Sequence, residues 1–310
     1  MRQDITFTSR GLHCSGWLYV PNDLPAEQKM PAIVMAHGFS CVKDMYLSNF
    51  AERFVGAGFI TLVFDYRYFG NSEGEPRGQF FPYEQIEDYR NAMTWISDHP
   101  LVDPERIGVW GTSKSGGHVL YLAAYDKRIK AVVAQVPSVI SPEARRRRDP
   151  EKYDKLGALL IQDRIARYKT GLTNYFKVVA PEGEPCVIGM TEAYEWFMQA
   201  SRIAPNWCNK VTVESLEKER EYDPVGPIQL IAPTPLLLIS AEYDTLALPD
   251  LIAAAYDRAL EPKSMVVLAC RHFDVYDMEP WLSKAAGAAL EWFTYYLGKV
   301  HTPGRSCCRF

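Results

Sequence analysis

The chain reads as an α/β protein, with a mostly parallel central sheet, helices on both faces and a helical cap inserted late in the order. Three observations predict it. Strand-like apolar runs alternate with amphipathic helical stretches. The polar groups with chemical promise follow directly on strand ends, where ligands bind open sheets of this kind. Between Ser138 and Gly226, about ninety residues break the alternation with no buried-type strand run.

Asp4–Thr8 and Cys14–Val20 alternate apolar and polar residues, as paired antiparallel strands do. Pro21–Lys29 is a polar loop, and Pro31–Ala36 is a buried-type strand. Tyr46–Ala57 sets Leu47, Phe50, Ala51, Phe54 and Val55 at helical spacing, and Gly56 and Gly58 stop it. Phe59–Asp65 returns as a buried strand, and Tyr83–Ser97 reads as a helix turning Ile86, Met93, Trp95 and Ile96 inward. Ile107, Val109 and Trp110 make the next apolar run, Gly111 breaks it, and Gly116–Gly117 open a helical stretch to Ala124. Ile129–Val136 is a strand ended by Pro137. Within the interruption, Lys152–Tyr168, Thr191–Ile203 and Thr212–Tyr222 look helical. A structureless loop of that length is rare in a compact domain, so the segment is expected to cap the site. Pro235–Ser240 and Met265–Ala269 read as strands and Trp281–Leu297 as the last helix. The expected division is a core at 1–137 and 227–300, a cap at 138–226 and a flexible tail at 301–310.

The stretch Arg106–Gly117, RIGVWGTSKSGG, reads as a strand ending in an exposed nucleophile. A serine in a sharp strand-to-helix turn is pushed out to where a base can reach it, in the pattern G-x-S-x-G. Here the pattern stands as Gly111-Thr112-Ser113-Lys114-Ser115, the last glycine replaced by serine. A second register through Gly117 makes Ser115 the nucleophile. Ser113 is preferred because it falls where the turn does, whereas Ser115 lies in the first helical turn.

Of six histidines, His272 and His301 follow Ser113 near the C-terminus, as a base in this chain order must. His301 sits in the tail beside Pro303 and Gly304; His272 follows the Met265–Ala269 strand and precedes the last helix. Asp244, just after the strand Pro235–Ser240, is the acid expected to orient the imidazole, with Glu242 in reserve. Asp274 and Asp277 read as helix-entry or surface carboxylates. The backbone N–H groups of Lys114 and of Phe39, in the loop His37-Gly38-Phe39, are the expected oxyanion donors. His37 can be read as catalytic, but its position suits bracing that loop. The aromatics of the cap, among them Tyr175, Phe176, Tyr194, Trp196, Phe197 and Trp207, are expected mostly to build its core. Tyr194, Trp196, Phe197 and Trp207, with His37, are the pocket candidates.

Together these residues resemble the α/β-hydrolase superfamily. Within it the chain is similar to the Xaa-Pro-peptidase-like or dienelactone-hydrolase-like branch, which includes hydrolases and acyl transferases of polyketide pathways. The likeness runs through Ala36–Ser40, Phe64–Ser72, Gln85–Arg90, Gly111–Ser113, Gly116–Leu120 and His272–Tyr276, and covers roughly residues 1–137 and 227–298. It implies an α/β-hydrolase fold and a Ser-Asp-His triad. Lys114 departs from the aromatic or small residue expected after the nucleophile. A cation there either favours an anionic substrate or points outward.

A chain of 310 residues can bury a substantial core. Its net charge of −4 gives no electrostatic case for nucleic acid or an anionic membrane. The run Arg145–Arg148 is read as a solvated helix start or loop, with an anion or partner site as the alternative. Seven scattered cysteines without metal-ligand spacing, and no apolar signal core in MRQDITFTSRG, suggest reduced thiols and a cytoplasmic protein. Cys307–Cys308 do not make a prenylation signal. The chemistry requires no metal and no organic cofactor.

The function expected first is hydrolysis of an ester, thioester or lactone of a bulky, largely apolar substrate through an acyl-Ser113 intermediate. Acyl transfer or carbon–carbon cleavage can use the same groups; a ligand-shaping protein with an idle triad and a peptidase come after them. The partner is a small molecule, with a carrier- or CoA-linked acyl group and a homodimer through Tyr295 and Tyr296 as further expectations.

Overall fold

The computed structural model describes residues 1–22 and 28–298. The expectations placed on His301, Cys307, Cys308 and the 301–310 tail lie outside them, as does part of the Pro21–Lys29 loop.

The chain opens with a hairpin of β1 (Arg2–Ser9) and β2 (Leu12–Tyr19). Its two-residue turn needs positive φ at both positions, and Arg10 and Gly11 sit at φ 51° and 83°. Next come β3 (Met30–Ala36), α1 (Ser48–Gly56), β4 (Ile60–Phe64) and α2 (Pro82–Ser97). Every residue of β4, and all of β3 after Met30, is buried, as strands covered on both faces must be. The central crossover is β5 (Val102–Thr112), α3 (Lys114–Tyr125) and β6 (Ile129–Gln135). β5 starts earlier than its apolar run suggests, because Val102 pairs with Met30 across a register shift.

After β6 come α4 (Pro142–Arg148), α5 (Pro150–Thr170), β7 (Tyr175–Phe176), α6 (Thr191–Ala200), β8 (Val211–Thr212) and α7 (Val213–Arg220). The arginine run is the last turn of α4. Ser141 caps that helix by accepting the Ala144 N–H at 3.2 Å, Pro142 stands in its first turn, and the cations lie at its negative end. Asp149 then caps α5 by accepting the Lys152 N–H at 2.9 Å, and Gly171 at φ 69° ends it in the left-handed region. Two features here were not expected from sequence: α4 as a helix of its own, and the short antiparallel ladder of β7 with β8. The chain closes with β9 (Leu236–Ala241), α8 (Pro249–Arg258), β10 (Lys263–Leu268), the short α9 (Asp274–Asp277) and α10 (Trp281–Leu297).

The described strands form an eight-stranded sheet in the order β1-β2-β4-β3-β5-β6-β9-β10. It is antiparallel at β1–β2 and β2–β4 and parallel elsewhere. α2 and α3 pack on one face and α1 and α10 on the other. The carboxyl ends of β3, β5, β9 and β10 therefore point the same way, and the loops leaving them can meet.

At the centre, the turn from β5 into α3 leaves no room for side chains on its glycines. A Cβ on Gly111 falls 2.3 Å from the Ser115 carbonyl oxygen, and one on Gly116 falls 2.8 Å from Cα of Pro137. Gly111→Ala must shift backbone and not a mobile side chain. It is expected to cost about 1–3 kcal/mol, read as a lower urea midpoint at unchanged slope.

Candidate active site

Ser113 stands between β5 and α3 at φ 54°, ψ −117°, a conformation rare for a residue with a side chain. Its backbone is tied on both sides. Its N–H donates to the Gln135 carbonyl at 2.9 Å, and its own carbonyl accepts from Gly117 at 3.2 Å and Ser138 at 2.8 Å. The hydroxyl is thus turned out of the sheet. Ser115, the other candidate, is fully buried, and its hydroxyl meets those of Tyr89 at 2.8 Å and Tyr66 at 3.2 Å.

His272, after β10, sets Nε2 3.2 Å from Ser113 Oγ, and its Nδ1 lies 2.6 Å from Asp244 Oδ2. The other oxygen of Asp244 accepts the N–H groups of Leu246 at 2.8 Å and Ala247 at 2.7 Å, so the carboxylate cannot swing. Ser113, Asp244 and His272 are each buried, which strengthens every polar contact among them. Glu242 is exposed to solvent and takes no part. Asp274 opens α9 and accepts the Arg271 N–H at 2.8 Å.

The loop after β3 crosses directly over Ser113: a Cβ on Gly38 falls 3.1 Å from Cβ of Ser113. That approach brings the Phe39 backbone to the site. Lys114 is the first residue of α3, so its N–H has no partner within the helix. His37 lies behind the loop. Its Nδ1 is 3.0 Å from the Gly38 carbonyl, its ring packs edge-on to Tyr66 at 4.8 Å, and burial lowers its pKa against the pull of Asp65.

Above Ser113 lies a cavity walled by Gly38, Phe39 and Cys41 on one side and Leu246, His272, Phe273 and Tyr276 on the other. Ile188, Trp196 and Phe197 roof it. Trp196 stacks on Phe273 with centroids 4.8 Å apart, and Gln199 of the same helix bonds Asp277 at 3.3 Å. The roof leaves about 10 Å³ of water-sized space, barely what one water needs. Of the five pocket candidates, Trp196 and Phe197 line it; His37, Tyr194 and Trp207 do not. Trp207 lies one layer back, stacked on Phe197 at 5.4 Å and donating from Nε1 to the Ser40 carbonyl at 2.9 Å. Tyr194 is half-buried against the core. The residues missed are Cys41, Ile188, Leu246, Phe273 and Tyr276. Tyr276 was within reach of sequence, four residues after His272 on a helical turn; Ile188 had no signal at all.

Lys114 does not reach into this cavity. Its side chain is buried the other way, ion-paired with Glu219 of α7 and over the Tyr222 ring at 4.5 Å. Burial pushes its ammonium below the ordinary lysine pKa, and Glu219 opposes the fall. Glu219 also holds Arg145 of α4 at 3.1 Å, so one carboxylate joins the turn at Ser113 to two inserted helices. Beside it His118 lies 2.9 Å from Gln85 Oε1 and 3.1 Å from the Tyr222 hydroxyl, kept neutral chiefly by burial.

The fold and this site define the class, α/β-hydrolases. The family model of the X-Pro dipeptidyl-peptidase (S15 family) matches residues 15–147. The chain is 33% identical over 273 residues to the quorum-quenching protein AidA of Acinetobacter baumannii, 88% of each chain. It is 32% identical to a thiohydrolase of Eupenicillium brefeldianum, again over 88% of each. A polyketide transferase of Stachybotrys chlorohalonatus is 31% identical, over 86% of this chain and 88% of that one. The crystal structure of the α/β hydrolase GrgF from Penicillium sp. sh18 superposes with a TM-score of 0.83 at 27% identity, covering 96% of this chain and all of that one. The protein belongs to the α/β-hydrolase family of these relatives and is an enzyme of the hydrolase class.

The Lys114–Glu219 pair gives a direct test of how the inserted helices are held. Glu219→Ala leaves a buried cation without its carboxylate and is expected to cost about 3–5 kcal/mol. Replacing both residues by apolar ones of similar volume (Lys114→Met with Glu219→Leu) should recover most of that in a denaturant titration.

Proposed function

We propose that the protein is a serine hydrolase that cleaves an ester, thioester or lactone of a bulky, largely apolar, polyketide-like substrate through an acyl-Ser113 intermediate. The observation that carries the reading is the hydrogen-bonded set Ser113–His272–Asp244 at the foot of an aromatic-roofed cavity. In this reading His272 Nε2 takes the proton of Ser113 Oγ as that oxygen attacks the carbonyl carbon. Asp244 holds Nδ1–H and steadies the imidazolium. The N–H groups of Phe39 and Lys114 receive the oxyanion. Collapse of the tetrahedral intermediate expels the alcohol or thiol with the proton from His272, and water then releases the acid by the same steps.

The substrate class draws on two supports. The cavity walls are largely aromatic and aliphatic, and the Lys114 cation is turned away from them. The relatives include a thiohydrolase, a quorum-quenching protein and polyketide transferases. A small molecule with a carrier- or CoA-linked acyl group fits both. Residues 138–226 act in this reading as a lid whose α6 must lift to admit it. A cytoplasmic setting is in keeping with the free thiols Cys14, Cys41, Cys186, Cys208 and Cys270. A homodimer through the face of Tyr295 and Tyr296, which meet edge to face at 4.7 Å, completes the reading.

One observation favours acyl transfer as the second reading: the roof closes down to the space of about one water. A site that excludes water leaves the acyl-enzyme for a bound alcohol or amine.

Ser113→Ala should abolish labelling by a fluorophosphonate, read by intact mass, and lower thioester turnover by at least about 10³-fold. Ser115→Ala should still label. Label retained in Ser113→Ala and lost in Ser115→Ala would reverse the assignment. Trp196→Ala opens the roof and should raise the share of acid over ester product when a medium-chain acyl thioester is supplied with an alcohol. An unchanged product ratio, measured by chromatography, would count against water exclusion by the roof.

A further inference from the structure

The loop over Ser113 closes on itself in a tight turn from Gly38 to Cys41, and the peptides of that turn are hydrogen-bonded in series. The Cys41 N–H donates to the Gly38 carbonyl at 3.3 Å. Ser40, inside the turn, stands at φ 55°, a left-handed conformation that disfavours a side chain. Its carbonyl accepts the indole N–H of Trp207 at 2.9 Å. The peptide between Ser40 and Cys41 and the one between Gly38 and Phe39 are both trans, so in each the C=O and N–H point in opposite directions across one plane. The bonds therefore run one way. Trp207 Nε1–H gives to the Ser40 carbonyl, the Cys41 N–H of that same peptide gives to the Gly38 carbonyl, and the line leaves through the Phe39 N–H. That last N–H makes no hydrogen bond to any of the described residues. His37 Nδ1, 3.0 Å from the Gly38 carbonyl, braces the same peptide from behind.

Resting on the reading of Ser113 as nucleophile and Phe39 as oxyanion donor, we infer that Trp207 is a positioning residue for the reaction: its indole N–H, acting through two peptide planes, aims the Phe39 N–H at the oxyanion. A peptide whose carbonyl is held cannot rotate its N–H away. Each accepted bond also polarises its peptide and makes the next N–H a better donor. Ser40 is buried, and the indole is the partner of its carbonyl. Without the indole that carbonyl is an unmet acceptor in a buried position. Ser40 is then free to turn back toward an ordinary conformation, and the Gly38 carbonyl loses one of its two donors. The corner that carries Trp207 is itself fixed to the core. The Trp207 backbone N–H donates to the Ala204 carbonyl at 3.0 Å, and Asn206 Nδ2 donates to Asp44 at 3.2 Å and to Asn71 at 3.1 Å. The inserted segment thus contributes to the oxyanion site as well as to the roof. No bond to Trp207 forms or breaks.

The test replaces Trp207 by 3-benzothienylalanine, which keeps the bicyclic ring and puts sulfur where the N–H stood, and separately makes Trp207→Phe. Each is compared with the unsubstituted enzyme in steady-state hydrolysis of p-nitrophenyl butyrate. Inhibition is measured with butylboronic acid, which forms a tetrahedral adduct on a serine nucleophile, and with butyrate, which does not. The benzothienyl variant is expected to lower kcat roughly tenfold, less than outright loss of an oxyanion donor, while KM moves less than about twofold. Affinity for the boronic acid should fall by a similar factor and affinity for butyrate should hold. Trp207→Phe should show the same split, with any further loss from its smaller ring appearing in KM. Unchanged kcat and boronic-acid affinity in the benzothienyl variant would overturn the inference. So would losses shared equally by the boronic acid and butyrate, which mark a packing role alone. Failure of the underlying reading shows without any change at Trp207: the fluorophosphonate label then persists in Ser113→Ala, or the boronic acid binds the unsubstituted enzyme no tighter than butyrate does.

Discussion

The turn between β5 and α3 is held by constraints from opposite sides, and the rest of the site hangs from it. Ser113 adopts a positive φ that disfavours a side chain by roughly 1–2 kcal/mol. That cost is met by backbone hydrogen bonds to Gln135, Gly117 and Ser138, which come from β6, from α3 and from the loop after β6. Close packing then seals the geometry. Gly111 meets the Ser115 carbonyl, Gly116 meets Pro137 and Gly117 meets the Ser138 carbonyl, all at distances that exclude a Cβ. Relaxing Ser113 toward an ordinary conformation would mean moving a central strand or the helix packed on it. Ser113 is therefore as rigid as the sheet, and the groups that meet its hydroxyl need only be brought to a fixed point.

That fixed point explains why so much of the site was legible from residues alone. Parallel strands of one sheet end on the same edge, so an acid just after Leu236–Ala241 and a histidine just after Lys263–Leu268 are neighbours once the alternation is recognised. The same logic places the loop at Gly38 over Ser113. What escaped was everything governed by side-chain direction. A count of aromatics in the inserted segment could not tell Trp196, which faces the cavity, from Trp207, which backs it, because both belong to one aromatic cluster with Phe197, Trp196 edge-on and Trp207 stacked. Tyr276 escaped for another reason. Its neighbours Asp274 and Asp277 drew the reading of that stretch toward a helix start, and its hydrogen-bond partner, Thr112 at the end of β5, lies far from it in sequence. The helix α4 was hidden by four arginines that look like a solvated run, although two of them end on Glu219 and Asp250.

Lys114 shows how a departure from pattern is absorbed. A buried ammonium next to a nucleophile could bias the site toward anions, but this one is used up by Glu219 and the face of Tyr222. The ring of groups around it, with His118 on Gln85 and Tyr222, forms a polar layer between α3 and α7 on the side away from the cavity. Polar and apolar environments are thus divided across the thickness of α3. The side facing α2 and the insert holds the paired polar groups, and the cavity over Ser113 has aromatic and aliphatic walls. Such a division lets the insert be anchored electrostatically without altering what the cavity recognises.

The roof is packed against the loop that carries His272. Trp196 rests on Phe273, and Phe273 is the residue after His272, its ring edge-on to the imidazole at 4.9 Å. Gln199, on the same helix, holds Asp277 one turn farther along. In the proposed reading, lifting α6 for a bulky substrate unloads the loop that carries His272, and closing it again presses that loop back over Ser113. A large acyl chain that fills the space under Trp196 and Phe197 substitutes its own apolar surface for theirs against Phe273. A small polar ester leaves the loop unsupported or the roof shut. Selection for carbon-rich substrates then needs no dedicated specificity group, since it follows from which ligands can replace the packing that positions His272.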